Sequence, residues 1–223
     1  MQKINAIKGA IKGAIFDLDG VLVDTAKYHY LAWKKLAQKL GFDFTEKDNE
    51  RLKGVSRAQS LEILLQIGGI KADEKQKQIW ADEKNMCYVE YLKTLDNSAL
   101  LNGTLDYLTS LHSQGVKISL GSASKNAPLI LSQLGIEKCF DAVIDGNCIS
   151  KAKPDPEVFL TAAKALKLEP ENCAVFEDSL AGIQAAKSGA MLAVGVGQSD
   201  NLPGADFYIK DLKEAENNNL FLS

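Results

Sequence analysis

The chain has 223 residues, of which 46% are hydrophobic and 25% are charged, as in an ordinary globular protein of one large domain or of a core with a modest second domain. Its net charge of −3 argues against nucleic acid or an anionic membrane as a partner, so any anion-binding site must be local. Four scattered cysteines without a Cys-x-x-Cys pair, and only two histidines, argue against a disulfide framework and against a zinc site.

The N-terminal segment carries Lys3, Lys8 and Lys12, so it lacks the unbroken apolar core of a signal peptide. No stretch of the sequence approaches the roughly 20 apolar residues of a membrane-spanning helix. We therefore expect a cytoplasmic protein. The segment IKGA occurs at 7–10 and again at 11–14, and we predict that the second copy belongs to the first strand.

Periodicity divides the chain into two parts. After the first strand, residues 26–40, about 56–66 and about 73–94 have helical periodicity, and this stretch is too long for an ordinary connection. From residue 103 onward strands and helices alternate, with helices at 104–113, 127–134, about 156–166 and 179–188, and strands at 116–122, 140–145, 173–177 and 191–196. Alternation of this kind predicts a doubly wound parallel sheet in an α/β core. We assign residues 1–25 and 96–223 to this core and residues 26–95 to an inserted α-helical cap domain.

The first strand ends in carboxylates. Ligands of open α/β sheets bind outside the carboxyl ends of the strands, and Asp17 and Asp19 stand there, two positions apart and therefore on one face of an extended chain. Gly20 then permits a sharp turn. A calcium loop does not fit, because Gly20 comes too early and Val21 occupies the third ligand position. The alternative is that these aspartates only solvate a strand end.

A second strand end carries small hydroxyl side chains. Residues 121–126, GSASKN, lead into a helix with Pro128 in its first turn. The backbone N–H groups of such a helix start, together with Ser122, Ser124 and Lys125, suit an anion such as phosphate. The alternative is an ordinary serine or asparagine helix cap.

Two further candidates follow later in the chain. Lys153 precedes Pro154 in a loop, and Glu177 and Asp178 end another apolar strand. A lysine in a loop is usually a surface residue without a role, and Asp178 or Ser179 could simply cap the next helix.

The four acidic residues at strand ends would repel one another without a cation. Oxygen-only ligands favour Mg²⁺, and Lys153 supplies further positive charge. A phosphate held between Ser122, Lys153 and Mg²⁺ would lie within reach of a first-strand aspartate, an arrangement that supports phosphoryl transfer to a carboxylate. The members of this predicted acidic cluster are Asp17, Asp19, Glu177 and Asp178.

Four segments resemble, in order, the four motifs of the haloacid dehalogenase superfamily: DLDGVLVDT from 17, GSASKN from 121, KPDPEVF from 153 and EDSLAGIQAAKSGA from 177. The resemblance implies a Rossmann-like core with a helical cap and an aspartyl-phosphate intermediate. It implies that Asp17 is the nucleophile and that Asp19 is the general acid/base. It also implies that Mg²⁺ is bound by the backbone carbonyl of Asp19, with Asp17, Glu177 and Asp178 as the other protein ligands. Aspartate at position 19 argues against the dehalogenase branch and for the phosphotransferases.

The predicted cap segments 24–37, 52–57 and 84–89 resemble those of the superfamily's sugar-phosphate mutases, which interconvert β-glucose 1-phosphate and glucose 6-phosphate through β-glucose 1,6-bisphosphate. The resemblance implies that Arg57 grips the phosphate that is not being transferred, that Lys84 touches the sugar and that His29 assists Asp19. The other implied substrate-binding residues are Thr25, Trp33, Gly54, Val55, Ser56, Ala123, Ser124, Lys125 and Asn126. By spacing alone, Trp33 also fits helix packing, and the three basic residues also fit solvated or structural positions.

Three functions are compatible with these motifs. The cap favours an isomerase of sugar phosphates, and the alternative is a Mg²⁺-dependent sugar-phosphate phosphatase whose aspartyl phosphate is given to water. A catalytically idle binding module would have lost acidic residues, and none of the four is lost. We expect a monomer, because the site would be complete within one chain.

Overall fold

The computed structural model describes residues 11–52, 55–218 and 220–221. Its strands, in chain order, are β1 (Gly13–Phe16), β2 (Lys117–Gly121), β3 (Ala142–Ile144), β4 (Cys173–Glu177), β5 (Leu192–Val196) and β6 (Phe207–Ile209). They form one parallel sheet in the order β3-β2-β1-β4-β5-β6, which confirms the predicted Rossmann-like, doubly wound core. The strand order reverses at β1, and ligand sites of such sheets form at this switch point.

Nine α-helices lie in the described part of the chain. They are α1 (Ala26–Lys39), α2 (Glu46–Asn49), α3 (Arg57–Ile67), α4 (Glu74–Leu92), α5 (Thr104–Ser113), α6 (Ala127–Leu134), α7 (Glu157–Leu166), α8 (Leu180–Ser188) and α9 (Leu212–Asn217). The prediction lacked α2, β6 and α9, each of six residues or fewer. None of the described helices is long and apolar enough to cross a membrane.

The central strand is buried on both faces, as a parallel sheet requires. Ala14 and Phe16 face one apolar cluster and Ile15 faces another, because successive side chains of a strand point to opposite faces. Phe16 stacks on Phe176 of β4 with ring centroids 4.5 Å apart. The sheet therefore holds the end of β1 rigidly against the end of β4.

Helices α1, α3 and α4 and the loop after α1 share a separate apolar cluster, which includes Trp33, Phe44 and Leu64. This separate cluster supports the assignment of 26–95 to a cap domain, although the boundaries themselves remain a prediction. Where the chain leaves the core, Val23 forms an antiparallel bridge with Leu100. The outgoing and returning segments are thus joined side by side. The first IKGA copy, residues 7–10, lies outside the described residues.

Candidate active site

A cavity of about 690 Å³ opens at the carboxyl edge of the sheet and is lined by both the core and the inserted helices, a volume typical of small-ligand sites. The predicted site residues that line it are Asp17, Asp19, His29, Trp33, Val55, Ser56, Arg57, Lys84, Ser122, Ala123, Ser124, Lys125, Asn126 and Asp178. Thr25, Lys153 and Glu177 are fully buried and do not line the cavity. Gly54 lies outside the described residues.

A buried lysine holds two of the acidic residues together. The Lys153 ammonium donates to Asp17 Oδ1 and to Glu177 Oε1, each at 2.6 Å, and lies 4.8 Å above the Phe159 ring. Lys153 and Glu177 are 0% exposed and Asp17 is 6% exposed. The reading of Lys153 as an idle surface residue is therefore wrong.

The charged residues of this group shift one another's pKa values. Burial raises the pKa of Asp17 to about 7, although the neighbouring Lys153 opposes the shift. Burial alone would lower the pKa of Lys153, but the charges of Asp17 and Glu177 more than offset it and raise that pKa. Lys153 is therefore the permanent cation at this edge of the sheet.

Carboxylate oxygens of Asp17, Glu177 and Asp178 lie within 4.8 Å of one another, a donor set of the kind that Mg²⁺ prefers. Gly20 and Gly182 leave room for these carboxylates. A Cβ on Gly20 would lie 2.1 Å from Asp178 Oδ2, and a Cβ on Gly182 would lie 1.9 Å from the Glu177 carboxyl carbon. The geometry thus fits a divalent cation.

Glu177 already has several partners in this group. Its Oε2 accepts hydrogen bonds from the backbone N–H and the hydroxyl of Ser179 at 3.0 and 2.8 Å. The Ser179 hydroxyl also accepts from the Gly182 N–H at 3.1 Å and so caps α8. Of the two capping candidates, Ser179 thus caps this helix with its side chain, and its neighbour Asp178 lines the cavity.

Asp19 faces a different set of partners. Thr25, the residue before α1, donates its hydroxyl hydrogen bond to Asp19 Oδ1, and His29 Nε2 lies 3.9 Å from the same oxygen. Burial raises the pKa of Asp19. Burial and the charge of Lys84 hold the pKa of His29 well below its ordinary value, so this imidazole is neutral at pH 7.

Lys84 completes this group from α4. Its ammonium lies 3.0 Å from His29 Nδ1 and 4.6 Å above each of the Trp33 and Tyr88 rings. When Lys84 is protonated it donates to Nδ1, which places the proton of the neutral His29 ring on Nε2, toward Asp19. Burial, reinforced by the charge of Arg57, lowers the pKa of Lys84 to about 7.

The loop after β2 closes the core side of the cavity. The Ser122 hydroxyl accepts from the Ser124 N–H at 3.1 Å, and the Ser124 hydroxyl accepts from the Asn126 N–H at 3.2 Å. Asn126 does not cap α6 with its side chain. Instead, its amide donates to Asn85 Oδ1 of α4 at 2.8 Å. This hydrogen bond joins the core to the inserted helices.

The start of α3 forms the opposite side of the cavity. Ser56 caps α3 in a reciprocal arrangement with Gln59, and Arg57 is the first residue of the helix. The spacing left Trp33 either as a helix-packing residue or as a site residue. It is 2% exposed and also lines the cavity, so it has both roles. The cap of α3 thus fixes the Arg57 backbone at the cavity.

The sequence reasoning did not single out Asn85 or Tyr88. Asn85 follows Lys84 on α4 by one residue and Tyr88 follows it by four. The i, i+4 spacing is a signal that could have identified Tyr88. Asn85 has no comparable signal, because its partner Asn126 comes 41 residues later.

A protein-family model described as haloacid dehalogenase-like hydrolase matches residues 11–189. The chain is 45% identical over 206 residues to β-phosphoglucomutase of Bacillus subtilis, across 92% of this chain and 91% of that protein. It is 34% identical over 181 residues to a phosphorylated carbohydrates phosphatase of Thermotoga maritima, across 80% and 81% of the two chains.

Among solved structures, β-phosphoglucomutase from Clostridium difficile superposes with a TM-score of 0.89 at 42% identity, covering 95% of this chain and 97% of that one. The segment that the family model matches includes Asp17, Glu177 and Asp178. The chain belongs to the haloacid dehalogenase-like hydrolase family.

Proposed function

We infer that this chain has β-phosphoglucomutase activity, interconverting β-D-glucose 1-phosphate and D-glucose 6-phosphate through β-glucose 1,6-bisphosphate. One observation carries the assignment beyond the family. A single cavity holds Asp17 on the core side and the basic residues Arg57 and Lys84 on the side of the inserted helices. A mutase must bind a bisphosphate with either end at the nucleophile, so it needs a second phosphate grip, which a guanidinium supplies well. The higher identity to β-phosphoglucomutase, 45% against 34% for the phosphatase, supports the same choice.

The first half-reaction starts from phosphorylated Asp17. The 6-hydroxyl of β-glucose 1-phosphate attacks the phosphorus, the bond from phosphorus to Asp17 breaks, and Asp19 takes the hydroxyl proton. The product is the bisphosphate. After it turns round, Asp17 attacks the phosphorus at the other end, Asp19 returns the proton to the leaving sugar oxygen, and glucose 6-phosphate is released.

The buried cation Lys153 keeps Asp17 charged and oriented between these steps, through the 2.6 Å hydrogen bond. Ser122 and the loop that follows β2 face the transferring phosphoryl group, and Arg57 grips the distant phosphate. His29 and Thr25 orient Asp19. The inserted helices keep water from the aspartyl phosphate until the next β-glucose 1-phosphate attacks it.

Mg²⁺ is the metal we propose for the site, with Asp17, Asp178, Glu177 and the Asp19 backbone carbonyl as its ligands. It would neutralise the charge of the carboxylates and of the phosphoryl oxygens. We also propose that the protein acts as a monomer in the cytoplasm, with sugar phosphates as its only substrates.

The test supplies β-glucose 1-phosphate, Mg²⁺ and a trace of the bisphosphate, and follows glucose 6-phosphate and inorganic phosphate together by ³¹P NMR. We expect glucose 6-phosphate as the main product, and no turnover by the Asp17→Asn variant. Inorganic phosphate as the main product would assign the phosphatase function instead.

A further inference from the structure

Tyr88 carries a buried hydroxyl that has no hydrogen-bond partner among the described residues. The side chain is 0% exposed. Burying an unpaired hydroxyl destabilises a fold, and native proteins contain few such groups. Tyr107 shows the ordinary case, because it is equally buried and its hydroxyl donates to the Leu220 carbonyl at 2.9 Å.

The surroundings of Tyr88 belong to the active site. Its ring packs against the His29 ring with centroids 4.1 Å apart, and the Lys84 ammonium lies over its face. The side chain of Thr25 approaches the Tyr88 hydroxyl without forming a hydrogen bond with it. Thr25 is also fully buried.

Thr25 has one hydroxyl proton, and it is engaged. The structure shows it donated to Asp19 Oδ1, so Thr25 cannot donate to Tyr88 at the same time. A turn of Asp19 toward a substrate oxygen would free this proton. The Tyr88 oxygen is then an acceptor within the same buried space.

We propose that Tyr88 is a positioning residue for Asp19, which acts by taking over the hydrogen bond of Thr25 when Asp19 turns to the substrate. When Asp19 accepts the hydrogen bond of Thr25, the Tyr88 hydroxyl is unpaired. When Asp19 contacts the substrate, Thr25 donates to the Tyr88 oxygen instead. The hydroxyl therefore shifts the equilibrium of Asp19 toward the reactive position. This inference rests on the proposed function, since that function gives Asp19 its role as acid and base.

The test compares Tyr88→Phe with the matched control Tyr107→Phe. Both changes remove one oxygen and keep the ring. We expect Tyr88→Phe to lower kcat about tenfold, to change KM less than threefold, and to leave the thermal midpoint unchanged or higher, because the hydroxyl it removes is unpaired. Tyr107→Phe should lower the midpoint and leave kcat unchanged. A Tyr88→Phe variant with kcat within twofold of the wild type would overturn the proposal.

A double-mutant cycle with Thr25 tests the route of the effect. In a Thr25→Val background, Tyr88→Phe should have no further effect on kcat, whereas in a Thr25→Ser background, which keeps the hydroxyl, the tenfold loss should return. Equal losses in both backgrounds would mean that Tyr88 does not act through Thr25.

The wild-type assay separates this proposal from the proposed function. If the wild type releases inorganic phosphate instead of glucose 6-phosphate, the mutase assignment fails. The same variants are then compared by phosphate release, a reaction that also needs Asp19, and the same tenfold loss is expected.

Discussion

Replacing Lys153 with methionine would leave two buried carboxylates without their cation. Lys153→Met keeps the length of the side chain and its packing over Phe159, but removes both 2.6 Å hydrogen bonds, to Asp17 and to Glu177. Removing one partner of a buried ion pair typically destabilises a protein by about 3–5 kcal/mol, because the remaining charge stays buried.

This magnitude is large against the total stability of a domain, which is about 5–15 kcal/mol. In a chain of this length each kcal/mol lowers the thermal midpoint by roughly 2–4 °C, so we expect a fall of about 6–20 °C. Mg²⁺ should raise the midpoint of the variant more than that of the wild type, since it restores positive charge beside the same carboxylates.

The matched control is Lys151→Met, two residues earlier. The Lys151 side chain is 70% exposed and its nitrogen lies 3.5 Å from Asp155, a surface pair that contributes at most about 1 kcal/mol. Thermal melts followed by circular dichroism, with and without Mg²⁺, compare the two variants. If their midpoints lie within 3 °C (about 1 kcal/mol) of each other, the buried pair does not hold this site together.

Three further variants test other parts of the site. Arg57→Ala should reduce mutase kcat/KM about a hundredfold but alter phosphate release from a small sugar monophosphate less than fivefold; comparable losses would remove the case for a second phosphate grip. Asn85→Ala, which deletes the hydrogen bond to Asn126, should increase several-fold the share of turnovers that end in inorganic phosphate, measured by ³¹P NMR, and an unchanged share would contradict it. Lys84→Met should abolish mutase activity yet raise the thermal midpoint, and more at pH 6 than at pH 9. The pKa of Lys84 is about 7 in the folded chain, below its unfolded value. The free-energy penalty for burying the charged form is therefore complete below pH 7 and declines as the pH rises. An equal gain in thermal midpoint at both pH values would show that no such charge is buried.

The alternation of strands and helices was readable from the sequence because each element is long enough to show its period. The predicted helices 104–113 and 127–134 coincide with α5 and α6. The strand of β6, with three residues, is too short for a period to be visible. The acidic residues could be predicted because they directly follow apolar strands, and strand ends of a parallel sheet meet at one edge.

Lys153 and His29 were predicted beside these acids, but their exact contacts could not be predicted, because they depend on which side chains the fold buries. A lysine before a proline in a loop gives no sign that it will be 0% exposed between Asp17 and Glu177. Thr25 was predicted to contact substrate; in the structure its hydroxyl donates to Asp19, and Thr25 does not line the cavity. Lys153 and Glu177 are 24 positions apart, and only the completed sheet brings them together.

The central place of β1 also has a consequence for the order in which the protein is made. Gly13 pairs with Lys117 on one side and with Cys173 on the other, separations of 104 and 160 positions. On the ribosome β1 is therefore synthesised before both of its partners, and it cannot pair until β2, and then β4, have been made. Pairing across such distances folds slowly and leaves an apolar strand exposed meanwhile. The helices between β1 and β2, with an apolar cluster of their own, are the part of the nascent chain that can bury its hydrophobic residues first.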